Sequence, residues 1–344
     1  MRTYWDETEL RHAPEFFLLR GKLRPNFEVP ARAEALLAGC RDLGMEVVAP
    51  DAIERAALLR VHDAGYLDFL RDAPAEWAAQ ADAGPEMVAS IHPTAEMLAG
   101  GATLPASLVG RLGWFTADTS CPIGPQTWVS AQAAAACAVA AANEAADGRT
   151  AYALCRPPGH HAYAARAGGH CYLNNAAVAA AQLRARGAAR IGILDIDAHH
   201  GNGTQGIFWE RDDVVFASVH GDPDGYYPWY TGHAGEAGAG AGVGCTINLP
   251  LPRGSGDAAW LAAIGHAIAA LRRCAIDALV VSLGFDASEA EPLRFLSVTE
   301  DGFARAGVAV AGLGLSAALV QEGGYNVDLL GRLLKRFLDG FALS

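Results

Sequence analysis

The stretch RIGILDIDAHHGNG, residues 190–203, decides how this chain reads. Its first half is a short apolar run, Ile191 to Ile196, of the kind that forms a strand buried on both faces. Its second half crowds Asp195, Asp197, His199 and His200 into the end of that run. In open parallel α/β sheets, ligands bind beyond the carboxyl ends of the strands. A buried strand that empties carboxylates and imidazoles at its end therefore predicts such a sheet with a functional site on its rim.

The flanking sequence repeats the pattern. AYALC (151–155), VVFASV (214–219), CTINLP (245–250), DALVVSLG (277–284) and AALVQEG (317–323) all have strand length, as does MEVVA (45–49). Helical periodicity fills 31–43, 127–146, 173–186, 258–274, 300–313 and 327–341, and also 53–80 with a break expected at Pro74. This alternation predicts a parallel sheet covered on both faces. Residues 81–126 are rich in Gly, Pro, Ser and Thr, have no clear period and read as a long loop with a functional or interfacial role.

Five of the strands deliver reactive groups: His160 and His161 after RPPG, Asp197 and His199, His220, Asp286, and Tyr325 in EGGYN. Asp197 and His199 are two apart, so at a strand end they point the same way. A carboxylate oxygen and an imidazole nitrogen so placed suit a borderline divalent ion, with Asp286 the best-placed third ligand. Three protein ligands leave a position for water or a substrate carbonyl. Asp195 then stands behind the site, or serves a second ion, and is placed to partner His160; Asn202 is the matching partner for His161. Paired histidines can act as general base and acid. Tyr325, after two glycines, can donate a hydrogen bond to a developing oxyanion.

The bulk properties narrow the class. The chain has 344 residues, 51% hydrophobic and 19% charged, with a net charge of −12. That balance argues against nucleic acid and membrane surfaces as partners and tolerates a cationic substrate. Seven scattered cysteines without a CxxC pair read as reduced thiols in the cytoplasm. No run of ~20 apolar residues suggests a membrane span.

Taken together, RPPGHHA (156–162), GHCYLNNAA (169–177), LDIDAHHGNGTQ (194–205), LGFDA (283–287), EGGYN (322–326) and the upstream VHDAGYLDFL (61–70) resemble the arginase-fold histone deacetylase superfamily. Within it the chain is most similar to bacterial acetylpolyamine amidohydrolases. The resemblance implies a single α/β domain over 1–344 with an eight-stranded parallel sheet and helices on both faces. It implies that the 81–126 insertion builds a homodimer interface. It implies Zn2+ on Asp197, His199 and Asp286 (a set that also accepts Fe2+), His160 and His161 as the acid–base pair, and Tyr325 polarising the amide carbonyl. It further implies a structural K+ near Asp195, Asp197, His199, Ser218 and Val219, and a second near Phe208, Arg211 and Val214. The activity implied is hydrolysis of small acetylated amines, foremost acetylpolyamines; acetyl-lysine in peptides is the alternative.

The substrate tunnel is expected at Gly169, His170, Tyr227 and Ser120. His170 stands where the family usually has Phe or Tyr; it reads as a polar wall group, a proton carrier or, foremost, a packed aromatic substitute. Where polyamine-specific relatives carry acids, this chain has Phe17, Val109 and Ser120, with Glu15 and Asp118 nearby. HGDPDGYYPWY (220–230) offers Asp222 and Asp224 among aromatics as a rim for an ammonium group. Rival readings are weaker. A dinuclear manganese ureohydrolase lacks bridging carboxylates, because His200 and Asn202 follow the DAH. GAGAGVG (238–244) is followed by a strand rather than by the helix a phosphate loop needs. Cys171 beside His170 reads as a small apolar filler rather than a nucleophile.

Overall fold

The computed structural model describes residues 1–19 and 21–342. Among the described residues ten strands form: β1 Arg2–Tyr4, β2 Phe16–Leu19, β3 Lys22–Pro25, β4 Glu46–Val48, β5 Ala151–Ala153, β6 Ile191–Asp195, β7 Val214–Gly221, β8 Thr246–Leu251, β9 Ala278–Leu283 and β10 Ala317–Gln321. Eight of them make one parallel sheet in the order β4-β1-β5-β10-β9-β6-β7-β8; β2 and β3 pair separately as an antiparallel hairpin. The three central strands β10, β9 and β6 run in register, with Asp195 opposite Ser282 and Leu283 opposite Gln321.

Both faces of the sheet are covered, and strand periodicity sorts the side chains. On β9, Ala278 and Val280 join one core while Leu279, Val281 and Leu283 join the other; β10 divides in the same way, Ala318 and Val320 from Ala317 and Leu319. The first core packs under the alanine-rich helices Thr127–Ala146 and Asn175–Ala185. The second lies beneath Ala31–Asp42, Asp257–Arg273, Glu300–Ala311 and Val327–Ala342. The first and last of these cross through Gly39 and Gly331, where a methyl on Gly39 would stand 2.7 Å from the Gly331 carbonyl oxygen.

Five local features differ from the sequence reading. Strand β1, only three residues long, carries too little pattern to be recognised, and the β2–β3 hairpin was not expected. The helix Ala64–Ala78 runs through Pro74; the break falls before Asp63, whose side chain accepts from the backbone N–H groups of Gly65 and Tyr66. Burial of Tyr66, Leu67, Phe69 and Leu70 along that helix outweighs the roughly 3 kcal/mol that an interior proline costs. The 81–126 segment is not all loop: it holds the short helices Ala95–Ala99 and Leu108–Trp114, capped by Thr94 and Ser107 and too brief to show a period. Finally, a helix over Asn202–Phe208 follows directly on the DIDAHH turn.

Candidate active site

Beyond β6 the backbone folds tightly around its own carboxylates. Asp195 accepts from the N–H of Asp197 at 3.1 Å, and Asp197 from that of His199 at 2.9 Å. These are Asx-type turns, which short acidic side chains make readily. Asp286, three residues past β9, accepts from the Ala198 N–H at 2.7 Å through one oxygen and lies 2.6 Å from His199 Nδ1 through the other. The N–H of Gly323, beyond β10, donates to Asp197 at 2.7 Å. Adjacent strands thus bring Asp197, His199 and Asp286 together, with one potential ligand atom from each lying within 4.8 Å of the others and all three side chains buried. A methyl on Gly323 would stand 2.6 Å from an Asp197 oxygen and 2.7 Å from an Asp286 oxygen, so the site requires glycine there. Burial and the neighbouring Asp197 raise the pKa of Asp286. Two carboxylates crowded out of water beside an imidazole are a donor set that a divalent cation neutralises, so the residues fit such an ion.

The histidines flank this cluster. His160 Nδ1 lies 3.0 Å from Asp195 and His161 Nδ1 2.6 Å from Asn202, the two pairings expected from sequence. Their environments push them apart. Burial disfavours charge on His160, but Asp195, Asp197 and Glu322 outweigh it and hold its pKa at about 10. Burial, with His160 and His199 alongside, depresses His161 well below the ordinary imidazole value. Tyr325 is held from behind: its N–H donates to Glu291 at 2.8 Å, and the Arg32 guanidinium sits 4.8 Å from its ring centroid. Burial raises its hydroxyl pKa well above the usual 10, so it remains a donor.

A cavity of about 610 Å³ opens onto this floor, with His161, His199 and Tyr325 in its lining. Phe17, His170, Tyr226, Tyr227 and Trp229 form its walls. His170 meets Phe17 edge-on at 5.8 Å and Tyr325 in a tilted contact at 6.0 Å, as a packed aromatic does, while its buried Nδ1 has no hydrogen-bond partner among the described residues. Tyr227 meets His161 edge-on at 4.9 Å and donates its hydroxyl to Asp118 at 2.5 Å. Asp118 also accepts from the backbone of Ser120 and Gly169. Gly169 and Ser120 also line the cavity. The expected acidic rim is not there: Asp222 and Asp224 do not line the cavity, whereas Arg253 and Arg294 do. In the loop after β7, Asp222 accepts from the Asp224 N–H at 3.1 Å, while the Asp224 carboxylate is exposed to solvent.

A family profile described as the histone deacetylase domain matches residues 26–341. The chain belongs to the histone deacetylase family. Acetylpolyamine amidohydrolase 1 of Pseudomonas aeruginosa is 43% identical over 343 residues, covering 99% of this chain and 98% of that protein. The acetylpolyamine amidohydrolase of Burkholderia pseudomallei is 44% identical over 346 residues, again covering 99% and 98%. A crystal structure of acetylpolyamine aminohydrolase from Burkholderia pseudomallei matches with a TM-score of 0.95 at 44% identity, covering 99% of this chain and 98% of that one. The protein is accordingly a hydrolytic deacetylase of a metal-dependent family.

Other residues of this deacetylase fall as follows. Ser218 Oγ lies 2.8 Å from His220 Nδ1 on β7, beside buried Val219 and opposite Asp195 on β6. Phe208 and Val214 are buried, and Arg211 forks onto Asp213 at 2.9 and 2.7 Å. Cys171 is buried and its thiol pKa is pushed well up by that burial, which does not suit a nucleophile. Sequence reading missed Glu322, Arg32 and Glu291. Glu322 is buried and accepts from the N–H groups of Gly159 and His160, fixing the histidine loop to the end of β10. Its place at the start of EGGYN is a usable signal. Arg32 donates to the carbonyls of Gly324 and Glu322 from a helix nearly three hundred residues away, and nothing local announces it.

Proposed function

We propose that this deacetylase is a zinc-dependent amidohydrolase that releases acetate from N-acetylated amines, with acetylpolyamines as its substrates. The observation that carries the reading is the Asp197–His199–Asp286 cluster on the floor of a cavity it shares with His161 and Tyr325. The relatives named as acetylpolyamine amidohydrolases, matched over nearly their whole length, support the substrate class.

Asp197, His199 and Asp286 would hold the ion, and a divalent cation there supplies a Lewis acid that polarises the amide carbonyl and acidifies water. The side chains do the rest. Tyr325 donates its hydroxyl to the carbonyl oxygen as negative charge develops on it. His161, kept neutral by its surroundings, takes the proton from the attacking water and returns it to the departing amine. His160, held as a cation against Asp195, keeps its own proton and contributes positive charge beside the reacting carbonyl. The aromatic walls exclude water around the amine chain.

The potassium sites at Asp195, Asp197, His199, Ser218 and Val219, and at Phe208, Arg211 and Val214, belong to the same proposal. So does a homodimer through 81–126, which exposes Ile91, Met97, Leu98, Leu104 and Val109. Cytoplasmic residence accords with seven free cysteines. Among the described residues, no helix is long and apolar enough to cross a membrane.

The test is acetate release from N-acetylputrescine and from an acetyl-lysine peptide. Activity on the diamine should vanish on chelation, return with zinc, and be lost in Asp286→Ala. Preference for the peptide would replace the substrate assignment, and chelator-resistant turnover would sink the metal mechanism.

A further inference from the structure

The cavity that receives the substrate has the wrong charge for a long polycation. Among the described residues its lining contains no carboxylate; the side chains in it that carry a full charge by nature are Arg253 and Arg294. Both are exposed, so they stand on the solvent side of a cavity whose floor is buried. Neither makes an ion pair with a described carboxylate. The Arg253 guanidinium lies 4.3 Å from the Phe295 ring centroid, and its N–H groups reach only the carbonyl oxygens of Arg294 and Gly225, each at 3.4 Å. Arg294 donates to the Glu289 carbonyl at 3.0 Å.

Two of the nearby acids, Asp118 and Glu291, are engaged elsewhere. Asp118 takes hydrogen bonds from Tyr227, Ser120 and Gly169. Glu291 is buried and accepts from the backbone N–H of Tyr325. Asp224 is exposed to solvent, its carboxylate 4.0 Å from the His233 ring. His170 adds no charge of either sign at neutral pH, because burial holds its pKa down to about 4. Among the described residues, neither guanidinium at the entrance has a carboxylate within ion-pair distance; of the exposed acids nearby, Asp224 adjoins Gly225 along the chain and Glu289 supplies the carbonyl that Arg294 reaches.

We infer that Arg253 and Arg294 are specificity-determining residues, a charge filter that favours short acetylated amines and disfavours each further ammonium group the chain carries out of the cavity. The inference rests on the acetylated-amine reading above and narrows it. With the acetyl group at Tyr325 and His199, acetylputrescine brings one ammonium toward the mouth, whereas acetylspermidine and acetylspermine bring more. Like charges at the surface of a cleft repel with an energy worth about three- to tenfold in kcat/KM per ammonium at low salt. The penalty shrinks as salt rises, since screening acts over about 8 Å at physiological ionic strength.

The experiment measures kcat/KM of the zinc-loaded protein on N-butylacetamide, N-acetylputrescine, N1-acetylspermidine and N1-acetylspermine, at low and high salt. Each value is expressed relative to the neutral amide. The ratios should fall along the series, flatten in salt, and rise along it in Arg253→Glu/Arg294→Glu, whose fold is checked by circular dichroism. If that variant does not fold, the salt dependence of the native protein decides alone. Ratios that rise or stay flat in the native protein, or that a folded double variant leaves unmoved, overturn the filter and leave acetylated-amine hydrolysis standing. Acetate from none of the four amides overturns both.

Discussion

At the scale of single residues, the site works by giving like groups unlike surroundings. His160 and His161 are neighbours with ring centroids 4.0 Å apart, yet one faces a carboxylate and the other an amide. His161 must be neutral to take a proton. Its depressed pKa keeps it so, and the acidic limb of kcat/KM should fall below pH ~6.5, the ordinary imidazole value. Asn202→Asp would place a negative charge on Nδ1, stabilise the protonated ring and move that limb upward by about one pH unit. A limb that stays put or moves down in the pH–rate profile would remove His161 from the base role. Tyr325 is the other single-residue test. Tyr325→Phe deletes one oxyanion donor and should cost about 10²–10³ in kcat, with metal content unchanged by elemental analysis. Near-native turnover would mean that the hydroxyl does not touch the reacting carbonyl.

Elements matter because each group of the candidate site hangs from the end of a strand. β6, β9 and β10 lie side by side, so the loops carrying Asp197, Asp286 and Gly323 leave the sheet at one height. That leaves no space for a side chain between β10 and the two carboxylates. Gly323→Ala should therefore push Asp197 and Asp286 apart while the sheet persists. The expected result is a protein with native circular dichroism that retains less divalent metal per chain than the native protein; full metal occupancy would show that the loop can yield. The second structural dependence runs through Glu28, which lies fully buried between Arg32 at 2.7 Å and Arg156 at 2.9 Å. Glu28→Gln removes the charge that both guanidiniums share and should cost about 3–5 kcal/mol of stability in urea unfolding. Since Arg32 also braces Gly324 and the Tyr325 ring, catalysis should fall with it.

Over the whole molecule, the 81–126 segment exposes several large apolar side chains, Ile91, Met97, Leu98, Leu104 and Val109. Its exposed Met97 and Leu98 lie on a helix of five residues, too short to be stable without packing. If this face is covered by a second copy, Met97→Lys/Leu98→Lys should convert a dimer to a monomer in sedimentation velocity. A native protein that already sediments as a monomer would remove the interface.

Much of this was legible along the chain, because the informative patterns are local. Apolar runs of strand length, the Asp197–His199 spacing, the HH pair after its proline turn and the EGGYN loop each declare themselves within a few residues. Strand periodicity even fixed which side chains face the same way. What the order of residues did not contain is which strand ends stand next to one another. That was settled when β9 and β10 inserted between β5 and β6, bringing Asp286 to His199 and Glu322 to His160. The same packing set Arg32 against Tyr325 and placed Arg253 and Arg294, rather than Asp222 and Asp224, in the lining of the cavity. Isolated arginines carry no periodicity and belong to no motif. Their role comes from the distance to a site built elsewhere, and only the packed sheet and helices fix that distance.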